Sequence, residues 1–137
     1  MALKAKFWRD FDAQTRLNQA SSVPFHSIHL ASRDNGTDAV TAVQEALERI
    51  EVNSPRLLFP FAPDAEVTGF RWGPYDIAQV DLDDASFGTS TDLAVQRFQK
   101  QAELDADGKV GMNTFRQLDE MLAFLEIPAP PQSPFDS

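Results

Sequence analysis

The chain predicts a mainly α-helical fold, a small three-helix bundle with an irregular insertion and an N-terminal arm. Three observations point there. Apolar residues recur at helical spacing in three separate stretches. Two Gly-x-x-Thr steps, Gly88 to Thr91 and Gly111 to Thr114, each open one of the later stretches. A proline- and aromatic-rich interval separates the first stretch from the other two.

The arm comes first. Leu3, Phe7 and Phe11 are spaced by four, with Trp8 beside them, so residues 1–25 are expected to hold a short amphipathic helix, part of an arm over 1–35 that packs on the main body. Phe25 to Leu30 alternates weakly, as a short strand would. Arg33-Asp34-Asn35-Gly36 signals a turn, and Thr37 or Asp38 caps a helix with Val40, Val43, Leu47 and Ile50 on one face. That helix is expected to end near Asn53-Ser54-Pro55. Between Pro55 and Ala85, four prolines argue against a regular helix, and Val67–Trp72 with Tyr75–Leu82 is expected to pair as a hairpin. The domain is thus placed at 36–127, with the insertion at about 51–86.

The second helix is expected over Thr89 to Gln101, with Ala94, Val95, Phe98 and Ala102 on one face. Asp105-Ala106-Asp107-Gly108 makes a turn in which Gly108 can take positive φ. Phe115, Leu118, Leu122 and Leu125 stripe the last helix, for which Thr114 and Gln117 have capping-box spacing and Asn113 competes as the cap. Pro128, Pro130, Pro131 and Pro134 mark residues 128–137 as a disordered tail.

At 137 residues the length suits one domain, and no apolar run is long enough to span a membrane. The net charge of −9 opposes binding to nucleic acid and to anionic lipid. The absence of cysteine excludes disulfides, thiolate zinc sites and a cysteine nucleophile. No cofactor is implied. Residues 1–25 lack the apolar centre of a secretory signal, which leaves localisation open.

The run Phe87-Gly88-x-x-Thr91-x-x-Ala94-Val95-x-x-Phe98-Gln99, followed by Leu104-Asp105-Ala106-Asp107-Gly108-Lys109-Val110-Gly111-x-x-Thr114-x-x-x-Leu118, resembles the peptidoglycan-binding domain of the three-helix type. Val40-x-x-Val43-Gln44-x-x-Leu47 looks like the first helix of that family, so the resemblance spans roughly 36–125. It implies a binding module of bacterial cell-wall hydrolases, with the chemistry in a separate domain. The interval from Glu51 to Ser86 departs from the short loop usual there, and Met112 stands where proline is common. The two Gly-x-x-Thr steps lie 23 residues apart, as in a degenerate repeat.

No residue pattern indicates catalysis. The Asp105 run has Gly108 at the fourth position and Arg116 at the twelfth, which breaks the calcium-loop pattern. His26 and His29 offer two ligands of an incomplete zinc set, so no metal site is expected. No acid stands out as the buried partner a muramidase needs. Sugar recognition needs flat apolar faces and hydrogen-bonding groups. Arg71, Trp72 and Tyr75 in the insertion, and Gln96, Arg97 and Gln99 on the second helix, supply such groups. Against that, Trp72 and Tyr75 can equally pack the insertion onto the bundle, while Phe87 and Phe98 read as core.

The resulting expectation is a non-catalytic module that binds the glycan or the stem peptide of peptidoglycan. Its location would be the periplasm or envelope if it binds the wall, and otherwise the cytoplasm or a non-classical export route. The rival is a protein–protein adaptor using the arm or the insertion, in a phage or a type VI or other contractile secretion assembly. A small muramidase is the third reading.

Overall fold

The computed structural model describes residues 5–10, 17, 28, 37–62 and 68–126. A 3-10 turn, Lys6–Asp10, precedes five α-helices among these residues: α1 (Asp38–Val52), α2 (Ser54–Phe61), α3 (Gln79–Asp84), α4 (Thr89–Gln101) and α5 (Met112–Glu126). The long helices α1, α4 and α5 make the bundle, with α1 touching both of the others. The 3-10 turn lies on α5, and α2 bridges α1 and α5.

The expected stripes face inward. Val40, Val43, Leu47 and Ile50 of α1, Ala94, Val95 and Phe98 of α4, and Phe115, Leu118 and Leu122 of α5 are all buried. Each such aliphatic side chain taken from water contributes about 1.5–3 kcal/mol. Leu125, at the end of the α5 stripe, is only partly buried.

Two buried glutamines give the bundle an internal repeat. Gln99 Nε2 donates to the Lys109 carbonyl at 3.0 Å and to Thr114 Oγ1 at 3.1 Å. Gln44 Nε2 donates to the Ser86 carbonyl at 3.0 Å and to Thr91 Oγ1 at 3.1 Å. In both copies the carbonyl lies two residues before the glycine and the threonine three after it. Gly88 and Gly111 then accept the first helical bonds, from the Asp92 and Phe115 amides, each at 2.9 Å. The α5 helix therefore begins at Met112, and Thr114 serves Gln99 instead of forming the expected capping box. Twelve positions separate Gln99 from Gly111 and forty-four separate Gln44 from Gly88, so thirty-two extra residues sit in the first loop.

Those extra residues are more helical than expected. Pro55 stands in the first turn of α2, where its missing N–H would have had no partner, so a helix forms despite the prolines. The expected hairpin does not form. The described residues contain no strand, and Gln79–Asp84 is the short helix α3. The backbone from Arg71 to Ala78 finds its hydrogen-bond partners in side chains of helices instead of a second strand.

At the N-terminus the docking expected of the aromatics is present, in a 3-10 turn. Asp119 Oδ1 accepts from the Ala5 amide at 2.8 Å and from Trp8 Nε1 at 3.0 Å. Glu126 accepts from the Lys6 and Phe7 amides, both at 2.7 Å. Trp8 packs on Phe115 with centroids 5.5 Å apart. Of the expected Phe25–Leu30 strand, Ile28 is described, and it forms an antiparallel bridge with Val110. Leu3, Phe11, the two histidines and the tail at 128–137 lie outside the described residues.

The repeat also exposes a local weakness. Ala85 occupies the place of Gly108, and both adopt positive φ, +50° and +76°. Crowding of an alanine Cβ in this conformation costs about 1–2 kcal/mol, part of which glycine returns as unfolded-chain entropy. Ala85→Gly is expected to stabilise the fold by about 0.5–1 kcal/mol. The check is a higher urea midpoint with an unchanged slope.

Candidate functional site

An extended strap, residues 71–78, runs antiparallel along α4 and is pinned to it at three levels. At the C-terminal end, Gln101 Nε2 donates to the Arg71 and Gly73 carbonyls, both at 3.2 Å. Its Oε1 accepts from the Gly73 amide at 3.1 Å and from the Tyr75 hydroxyl at 2.9 Å. One turn earlier, Arg97 Nη1 donates to the Pro74 carbonyl and pairs with Asp76 Oδ2 at 3.5 Å. Near the start of α4, Ser90 Oγ accepts from the Ala78 amide at 3.0 Å. One carboxamide thus binds four strap groups, which fixes the strap where a second strand otherwise would.

The inner side of the strap is held as firmly. Ser54 Oγ accepts from the Trp72 amide at 2.7 Å, and Trp72 Nε1 donates to the Leu57 carbonyl at 3.3 Å. Glu51 Oε1 accepts from the Tyr75 amide at 2.7 Å. The Trp72 and Tyr75 rings lie 6.0 and 6.2 Å from that of Phe98, and Phe70 meets Trp72 edge-on at 5.0 Å. Burial, and then the Glu51 charge, push the Tyr75 phenol well above its ordinary range. It stays neutral and donates to Gln101.

The outer side is different. Leu93, Arg97 and Lys100 form one exposed stripe of α4 at i, i+4 and i+7, with Leu93 57 % exposed. Arg71 and Asp76 are exposed on the strap beside it. Arg97 keeps half of its side chain exposed, with Nη1 engaged by the strap.

The six residues expected to meet a ligand fall into three groups. Arg71 and Arg97 are exposed on the seam between strap and helix. Gln96 is half-buried and bonds Asp92 Oδ2 at 2.8 Å. Trp72, Tyr75 and Gln99 are 1, 3 and 1 % exposed, so neither ring presents a face to solvent. Gln99 Nε2 and Oε1 both bond within the protein, the latter accepting from the Gly108 amide at 2.9 Å. These three hold the surface from behind. Sequence reasoning missed Gln101 and Glu51, because a polar residue at a helix end reads as solvated unless its tertiary partner is known. Gln44 stood in the recognised pattern, but only its contacts reveal the clamp.

A second concavity lies away from the strap. Phe7, Glu45, Glu48, Arg49, Val52 and Asn53 line an open groove of about 290 Å³. The Arg49 guanidinium sits 4.8 Å from the centre of the Phe7 ring. The Glu48 carboxyl is held above its ordinary range by partial burial, then by the charges of Glu45 and Glu51. Among the described residues, no cluster of three or more His, Cys, Asp or Glu could hold a metal ion. No helix among them is long and apolar enough to cross a membrane.

The geometry is that of a small three-helix module with repeated Gly-x-x-Thr steps and a glutamine clamp at each. Residues 71–118 match the family model described as "Putative peptidoglycan binding domain", which is consistent with a peptidoglycan-binding-like domain there. The match takes in the strap, α3, α4 and the first half of α5; α1 and α2 lie outside it. No curated protein and no solved structure matches the chain.

Two outcomes follow from this geometry. Gln101→Ala leaves buried strap groups unpaired and is expected to cost about 2–3 kcal/mol, with a red shift in tryptophan emission as Trp72 meets water. Glu48 titrates with a raised pKa in the fold, so its ionised form opposes folding above that pKa, and the penalty vanishes once both states are protonated. Glu48→Gln is therefore expected to raise the urea midpoint at about pH 7 and to leave it unchanged near about pH 3.

Proposed function

We propose that this protein is a non-catalytic module that binds peptidoglycan through the exposed surface of its 71–118 region. The match of that region to the peptidoglycan-binding family carries the reading. The seam supports it, since Arg71 and Arg97 bring hydrogen-bonding groups to one exposed helix face and its strap. With a net charge of −9, attraction to anionic wall polymers is weak, and recognition acts through local contacts.

Two acids that bond within the protein support the non-catalytic part of this proposal. Asp119, buried at 2 %, binds the Ala5 amide and the Trp8 indole, while Asp81 Oδ2 accepts from Ser90 Oγ and Thr91 Oγ1 at 2.6 and 3.2 Å. These carboxylates organise backbone and helix starts. An adaptor working through the N-terminal arm would need its aromatics open, yet Phe7 and Trp8 are 3 and 1 % exposed.

Purified sacculi provide the test. The protein is expected to sediment with them and to leave their turbidity unchanged over hours. Retention in the supernatant would overturn wall binding, and clearing of the suspension would overturn the non-catalytic assignment.

A further inference from the structure

We infer that the strap–α4 seam recognises the free carboxylates of peptidoglycan stem peptides, with Leu93 receiving an aliphatic part of the peptide. The inference rests on the wall-binding reading and adds which component of the wall is bound, and where.

Three observations carry it. First, among the described residues the aromatic rings that would stack on sugars are turned inward. Trp8, Trp72, Tyr75, Phe87, Phe98 and Phe115 are all buried, and the half-buried Phe61, Phe70 and Phe124 pack against the core. What the seam presents instead is an aliphatic side chain and cations, chemistry suited to a peptide. Second, Arg97 is preorganised. The Pro74 carbonyl and Asp76 hold Nη1, while a guanidinium has five N–H donors in a fixed fork. Fixing the head group in advance removes part of the ordering cost of binding a carboxylate. Third, the charge is complementary. Lys100 lies one turn from Arg97 on the same stripe, and Gln101 anchors Arg71 by its backbone at that end of the helix. In a chain of net charge −9, this is a local gathering of cations beside an exposed leucine. N-acetylated glycan sugars carry no such charge, whereas stem peptides end in, and branch at, carboxylates.

Asp76 makes the inference sharper. Its carboxylate already pairs with Arg97 at 3.5 Å and is 76 % exposed, so an incoming carboxylate competes with it. Asp76 has φ of +53°, a conformation that asparagine tolerates. Asp76→Asn therefore keeps the backbone and removes the competitor.

The experiment measures retention of the full chain on three preparations, all first freed of anionic wall polymers. These are intact sacculi, sacculi stripped of stem peptides by an amidase, with the freed glycan strands coupled to beads and their newly exposed lactyl carboxylates capped as amides, and sacculi whose carboxylates are blocked as uncharged amides. Binding to intact sacculi is expected to fall about tenfold on stripping and on blocking. Arg97→Gln and Leu93→Ser are each expected to weaken binding to intact sacculi several-fold, and Asp76→Asn to strengthen it. Leu93 pins nothing, so its variant separates ligand contact from loosening of the strap, and unchanged melting confirms the fold. Equal retention on stripped and intact sacculi would overturn the stem-peptide assignment and leave wall binding standing. Weakened binding by Asp76→Asn would overturn the role given to Arg97. Failure on every preparation would remove the wall-binding reading itself.

Discussion

The carboxamide of Gln99 is the contact on which the bundle depends. It reaches out of α4 to the 107–109 turn and to Thr114, donating to Asp107, Lys109 and Thr114 and accepting from Gly108. A buried amide is costly unless its groups are bonded, and here each bond ties a different part of the turn or of α5 to α4. Gln44 does the same between α1 and α4, less completely. Its Nε2 has three acceptors, while its Oε1 has no hydrogen-bond partner among the described residues. In the second copy the matching oxygen receives the Gly108 amide; in the first, the Ala85 amide turns to the Leu82 carbonyl at 3.3 Å.

The insertion in the first loop is what makes this module different from its own second half. It supplies α2, which closes the bundle between α1 and α5, and a strap whose backbone is satisfied by side chains of neighbouring helices. Since Trp72 and Tyr75 pack on Phe98, the strap is part of the core on one side and part of the surface on the other. The result is an exposed seam with a rigid floor. An exposed surface held in advance in this way would lose little conformational entropy on meeting a ligand.

Much of the bundle was legible in the sequence. The boundaries of α4 were read as Thr89 to Gln101 because the Gly-x-x-Thr step and the apolar stripe agree there. The core faces of α1 and α5 were equally plain, since helical spacing permits one burial direction. The insertion was less so. Its prolines suggested irregular backbone and its β-branched and aromatic runs suggested a hairpin, but Pro55 starts a helix and the strap pairs with side chains. The candidate site was less legible. Residue types at 71, 72, 75, 96, 97 and 99 suggested hydrogen-bonding and stacking groups, yet nothing in a linear pattern tells an inward tryptophan from an outward one.

By itself the sequence determined the three long helices, the turn at Gly108, the repeated glycine steps and the likeness of residues 71–118 to the peptidoglycan-binding family, because each depends on local spacing and backbone freedom. The tertiary structure alone decided which polar groups are structural and which are exposed. Gln99 and Gln101 stand two residues apart on one helix; the first is buried in a clamp and the second pins a strap thirty residues away. That distinction comes from long-range hydrogen bonds, whose partners lie too far along the chain for periodicity to reveal.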